Sequence, residues 1–124
     1  MPAQKYQARF IQILELSPWN KHFRCAFPEG QEMDFIAGQF MMALIPRDGK
    51  VVRRAYSICS APLHKKYVEF VITKVDGGFV SSWFHDRKVG DTIDLEGPHG
   101  HFVLKEPLPE EILFICTGSG VAPF

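Results

Sequence analysis

Apolar and polar side chains alternate along most of this chain in short runs rich in Val, Ile, Tyr, Phe and Thr, and Gly, Pro and Asp separate the runs. A period of two is the mark of half-buried β-strands, and it gives way to a helical period almost nowhere. The pattern predicts strands over Tyr6–Leu16, His22–Phe27, Gln39–Ile45, Val51–Ser60, Tyr67–Lys74 and Thr92–Glu96. Turn chemistry lies between them. Pro46-Arg47-Asp48-Gly49 reads as a hairpin turn, Asp76-Gly77-Gly78 as a break, and Gly90-Asp91 and Gly97-Pro98-His99-Gly100 as tight bends. Six strands at this spacing predict an all-β domain, a six-stranded antiparallel Greek-key barrel that leaves little sheet edge exposed.

Two segments depart from the pattern. Ser81-Ser82-Trp83-Phe84-His85-Asp86-Arg87-Lys88 opens with hydroxyls and ends in basic residues, which predicts one short helix capped in the right order. Lys105-Glu106-Pro107-Leu108-Pro109-Glu110-Glu111 reads as a charged, Pro-rich linker, and Ile112–Cys116 after it as a continuously apolar strand covered on both faces in a parallel sheet. The expected division is a barrel domain over 1–105, then a linker and the first strand of a truncated α/β nucleotide-binding domain over 106–124. Without parallel neighbours that strand is expected to fold back on the barrel, pair with a second copy or promote aggregation.

At 124 residues and 46% hydrophobic the chain can bury one domain's core. Lys plus Arg equals Asp plus Glu at 14 each, so no overall field draws in nucleic acid or an acidic membrane, and any anion site is local. Neither a leader-like apolar start nor a stretch of membrane-spanning length is visible, and the expectation is a soluble, cytoplasmic protein. Cys25, Cys59 and Cys116 stand far apart among apolar neighbours. That predicts reduced, buried thiols and no zinc or iron–sulfur cluster within this stretch.

Candidate chemistry concentrates in Val52-Arg53-Arg54-Ala55-Tyr56-Ser57-Ile58, where strand alternation sets Arg54, Tyr56 and Ile58 on one face and Ala55 and Ser57 on the other. Arg presents a planar fork to phosphate oxygens, Tyr a flat face to a heteroaromatic ring, and Ser a small hydrogen-bonding group. The same alternation fits an ordinary exposed strand on which Arg54 pairs with a carboxylate. Gly77-Gly78-Phe79-Val80-Ser81 reads either as a phosphate cradle at a helix start or as a turn capped by Ser81. Thr117-Gly118-Ser119-Gly120-Val121-Ala122-Pro123 places glycines where a backbone approaches a phosphate, with Pro123 in the position of the usual third glycine. His99 and His101 share a strand face, with His85 a third imidazole, but the glycines of their turn account for the pair and no metal is expected. Met41-Met42 reads as core filling, and Lys65-Lys66 as a solvated turn or a dock for an acidic electron carrier.

The order of these pieces is more specific than any one of them. Ala37-Gly38-Gln39-Phe40, Arg54-Ala55-Tyr56-Ser57, Gly78-Phe79-Val80-Ser81, Gly90-Asp91, Gly97-Pro98-His99-Gly100-His101-Phe102 and Thr117-Gly118-Ser119-Gly120-Val121-Ala122-Pro123 together resemble the ferredoxin–NADP reductase superfamily, from about Tyr6 to the end. The resemblance implies a flavin-binding barrel followed by a nicotinamide-binding domain, with FAD, or FMN as in some relatives, as cofactor and NAD(P)H as co-substrate. It implies that Arg54 holds the flavin phosphates and that Tyr56 lies against the isoalloxazine with Ser57 near its reactive N5, the two residues closest to the chemistry. Ala55 belongs to the same strand motif. Val71, Ile72 and Thr73 would flank the sugar and phosphate chain, and Gly78, Phe79, Val80 and Ser81 the pyrophosphate. Thr117 would approach the flavin or nicotinamide, and Gly118, Ser119, Gly120 and Pro123 would open the nicotinamide loop. The implied reaction carries electrons from NAD(P)H through the flavin to ferredoxin, flavodoxin or another acceptor, with this stretch alone inactive toward NAD(P)H. The alternatives are a flavin-carrying relay or regulatory subunit of a larger dehydrogenase complex, and a barrel that binds no nucleotide.

Overall fold

The alternating runs form six strands: β1 (Gln4–Glu15), β2 (Asn20–Ala26), β3 (Phe40–Arg47), β4 (Lys50–Ser57), β5 (Tyr67–Thr73) and β6 (Thr92–His99), with a single α-helix, α1 (Phe79–His85), between the last two. The computed structural model describes residues 2–124. All strand pairs are antiparallel, in the order β4-β3-β6-β1-β2-β5. The sheet curls until its two edges, β4 and β5, approach each other. The seam is bonded just past the end of β4, where Cys59 N donates to Glu69 O at 2.9 Å and Glu69 N donates to Ser60 Oγ at 3.1 Å. Around the curl β3, β4 and β5 follow in sequence and β6 returns beside β3, the Greek-key connection expected of an antiparallel barrel.

The inward positions of the alternation make the core. Tyr6, Ala8 and Phe10 of β1, Phe23 and Cys25 of β2, and Val68, Phe70 and Ile72 of β5 are all buried. Helix α1 plugs this interior with Val80 and Phe84, one helical turn apart. Phe84 meets Phe10, Phe23 and Tyr56 edge to face, with ring centres 5.9, 5.4 and 5.1 Å away, the arrangement aromatic quadrupoles favour. Met41 is fully buried, as core filling requires.

Several local expectations are corrected. Strand β3 runs on through Pro46 and Arg47, which pairs with Lys50, and the hairpin turn is Asp48-Gly49 alone, with φ 51° and 75°. Two consecutive left-handed residues match the twist of the flanking strands, which is why Asp-Gly suffices. Gly97-Pro98-His99 belongs to β6 and is no bend; a side chain at Gly97 would collide with Met41. Helix α1 begins at Phe79 with Gly78 at its cap and no side-chain capping bond. The Ser81 hydroxyl instead accepts from Val75 N at 3.0 Å, stitching the preceding turn.

The predicted strand Ile112–Cys116 does not form. The segment is irregular, and Leu113 and Ile115 stay 82% and 79% exposed. A strand needs a ladder partner, and the sheet presents none here because β3 and β6 are paired on both sides. The segment instead lies beside Phe102 and Leu104, lining an apolar groove that Phe124 closes. Cys25 is buried and Cys59 half-buried, whereas Cys116 is exposed, contrary to the expectation of three buried thiols. Among the described residues no helix is long and apolar enough to cross a membrane.

Candidate functional site

Where β4 and β5 part beyond the Cys59–Glu69 bond, a cleft of about 320 Å³ opens along the seam. Ala55, Tyr56 and Ser57 form one wall and Val71, Ile72 and Thr73 the other. Ser81 of α1 reaches its end, and Ser119 and Gly120 reach it from a 3₁₀ turn at Gly118–Val121. Nine residues singled out in the sequence thus converge on one opening, although β4 and β5 sit at opposite ends of the sheet order. Ala122, from the motif that holds Ser119 and Gly120, also lines it, as does Val75, which carried no sequence signal.

Not every expected residue lies in the cleft. Gly78, Phe79 and Val80 form the cap and first turn of α1 beside Ser81 without lining the opening. Gly78 N is already bonded to Val75 O at 2.9 Å, so the amides open to a ligand begin at Phe79. Thr117 and Gly118 are exposed and outside it, and Pro123 belongs to the separate apolar groove.

Arg54 shares the face of Tyr56, as alternation requires. One of its amino groups donates to the Arg53 carbonyl at 2.8 Å, and no carboxylate among the described residues pairs with it. The ordinary reading of the motif, an arginine neutralised across the strand, is met by its neighbour: Arg53 binds Glu96 at 2.7 Å. That hydrogen bond is the main reason the Glu96 carboxyl sits below its usual range. A second cation, Arg47, lies 4.3 Å over the ring of Phe79, beside the first turn of α1. Reading Arg47 as part of a turn concealed it; the Asp-Gly pair that ends β3 one residue later was the signal available.

Tyr56 is half-buried against Phe84 and Phe70. Burial pushes its phenol above the ordinary range, and the charge of Arg54 offsets part of that. Thr73 Oγ1 is fixed by Asn20 Oδ1 at 2.6 Å. His85 Nε2 lies 2.8 Å from the Ile72 carbonyl, so this nitrogen carries the proton and ties α1 to the cleft wall. His99 stands 3.3 Å from Glu96, a carboxylate three residues away. Among the described residues no three His, Cys, Asp or Glu side chains are grouped to hold a metal ion. At the closed end of the seam His22 and Arg24 hold the Glu69 carboxylate, at 2.8 and 3.2 Å. Burial and then the charge of Glu69 push the nearby Cys59 thiol up to about 11.

The cleft has a definite character: a flat aromatic side chain with small hydroxyls around it and no nucleophile–base pair among its lining residues, while the exposed Arg54, next in sequence to Ala55, lies outside the lining and has no carboxylate partner among the described residues. It suits a planar ring that carries an anionic tail. The model of the oxidoreductase FAD-binding domain family matches residues 7–104. A ferredoxin–NADP reductase B of Sorangium cellulosum is 36% identical over 121 residues, covering 98% of this chain and 50% of the relative. The phenol hydroxylase P5 protein of Acinetobacter pittii is 35% identical over 121 residues, covering 96% of this chain and 33% of the relative. Among solved structures, a ferredoxin NADP+ reductase from Neisseria gonorrhoeae with bound FAD and NADP superposes with a TM-score of 0.82 at 28% identity, over 99% of this chain and 49% of that one. The chain therefore spans half or less of the length of these proteins.

Proposed function

The chain belongs to the oxidoreductase FAD-binding domain family, and from that we propose that it is the flavin-holding part of an NAD(P)H-dependent oxidoreductase that passes electrons through FAD to a ferredoxin, a flavodoxin or another acceptor. The observation that carries the reading is Arg54: a guanidinium with no carboxylate partner among the described residues, exposed on the same face of β4 as the half-buried Tyr56 and next in sequence to Ala55 of the cleft wall, though it does not line the cleft itself. The relative named a ferredoxin–NADP reductase and the structure with bound FAD and NADP support the same class.

In this reading Arg54 holds the flavin phosphates, with the amides of Phe79, Val80 and Ser81 and the backbone of Gly78 facing the pyrophosphate. Tyr56 lies against the isoalloxazine and Ser57 hydrogen-bonds near N5, with Ala55 small enough to let the ligand approach. Val71, Ile72 and Thr73 flank the sugar chain, and Thr73 is held in place by Asn20. Ser119 and Gly120 meet the flavin from the other side, while Thr117, Gly118 and Pro123 belong to the nicotinamide loop. The barrel over 1–105 is then the flavin domain, and 106–124 is the linker and opening of the nicotinamide-binding part. When bound, the flavin accepts hydride and releases electrons onward. The protein's own work is to orient the ring, exclude water from one face and neutralise the phosphates. The reading places it in the cytoplasm, where an exposed thiol such as Cys116 stays reduced.

FAD added to the purified chain is expected to bind stoichiometrically, giving a protein-bound visible spectrum and a higher melting temperature, because a ligand of the native state stabilises that state. A melting temperature indifferent to FAD refutes the proposal.

A further inference from the structure

We infer that Trp19, in the turn between β1 and β2, is the platform on which the adenine of the dinucleotide stacks. The inference rests on the flavin reading and deepens it. At about 320 Å³ the seam cleft is at the small end of ligand pockets, which run to about 1,000 Å³, so part of a flavin adenine dinucleotide must lie outside it. In the flavin reading the ring end lies at Tyr56 and Ser57 and the phosphate end at Ser81, with Arg54 outside the cleft lining, and next to Thr73 the cleft is lined by Val75, which is 58% exposed.

The backbone of Trp19 is tied next to this stretch, although the residue does not line the cleft itself. Its carbonyl accepts from Lys74 N at 2.7 Å, one residue before Val75, and the adjacent Asn20 side chain is bonded to Thr73 at 2.6 Å. Ser17 Oγ accepts from Trp19 N, Asn20 N and Asn20 Nδ2, at 3.3, 3.1 and 3.0 Å, so the turn is ordered before any ligand arrives. Trp19 is 63% exposed, and its ring has no aromatic or cationic partner among the described residues. The other tryptophan, Trp83, is committed to Phe84 and to Arg87, whose guanidinium lies 4.1 Å over it. An exposed, unpartnered indole on an ordered turn beside Val75 suits a purine, which stacks on aromatic side chains.

Titrating the full chain separately with FAD and FMN, by flavin absorbance and fluorescence, tests this. FMN lacks the adenine but keeps the ring and first phosphate. Trp19→Ala is expected to weaken FAD roughly tenfold to a hundredfold, the range of one base–aromatic stack, and to leave FMN unchanged. Trp19→Phe is expected to retain most of the FAD affinity. The inference is overturned if Trp19→Ala binds FAD like the parent, if it loses FAD and FMN equally, or if the parent binds FMN as tightly as FAD. A parent that binds neither flavin overturns the flavin reading and this inference with it.

Discussion

Two adjacent arginines on one strand provide a controlled test of the proposed phosphate contact. Arg53 is committed to Glu96 at 2.7 Å, whereas Arg54 bonds only the Arg53 carbonyl at 2.8 Å and has no carboxylate partner among the described residues. If Arg54 holds the flavin phosphates, Arg54→Ala removes a charge-assisted contact worth about 1.5–3 kcal/mol, roughly a tenfold to 150-fold loss of FAD affinity. Arg54→Lys keeps the charge without the planar fork and should fall between. Arg53→Ala breaks the ion pair on the opposite strand face and should leave FAD affinity unchanged. Since Arg54 is exposed, its removal should shift the melting temperature of the ligand-free protein by no more than about 3 °C. Flavin titration of the three variants at low and high salt is the assay. A phosphate contact predicts that salt weakens the parent more than Arg54→Ala. An Arg54→Ala variant with parental affinity, or an Arg53→Ala variant that loses more, refutes the assignment.

Other substitutions test the framework around the site. Gly38 has φ 103°, and a Cβ there would sit 1.8 Å from the Phe102 carbonyl oxygen. Gly38→Ala should therefore destabilise by about 2–4 kcal/mol in urea unfolding, and a change under about 0.5 kcal/mol would contradict the close packing. Phe84→Ala removes the aromatic hub beneath Tyr56 and should cost about 3–5 kcal/mol, read by thermal or denaturant unfolding. The folded state keeps the Cys59 proton up to about 11, whereas the unfolded thiol ionises at 9.0. Stability contributed by this group is present below pH 9.0 and lost as pH rises toward about 11, so the alkaline fall should be shallower in Cys59→Ala. Under native conditions a thiol reagent should modify the exposed Cys116 before Cys59, and Cys25 last, as peptide mapping would reveal.

The period of two, with its Gly and Asp punctuation, was enough to place six strands and a short helix, because inward-facing positions such as Phe10, Phe23 and Phe70 must repeat on one strand face. The same alternation put Arg54 and Tyr56 together and Ser57 opposite, since side-chain direction on a strand is a local property. The segments around Thr73, Ser81 and Gly120 were legible only as separate fragments. Local order also misled where competing partners were close: Ser81 had the form of a helix cap, but its hydroxyl serves Val75 N, and Ile112–Cys116 had the hydrophobicity of a buried strand without a neighbour to pair with.

Ile112–Cys116 apart, the sequence alone determined the element types, the strand faces and the residue chemistry of the site, all of which follow from neighbours a few positions apart. Only the tertiary structure decided which arginine is free, because Glu96, which engages Arg53, lies 43 residues along the chain. It also decided that the chain just past β4 meets β5 at Cys59 and Glu69, while the two strands part at Ser57 and Val71. That opening is a product of the sheet curling on itself, and sheet closure is set by long-range pairing that strand periodicity does not encode.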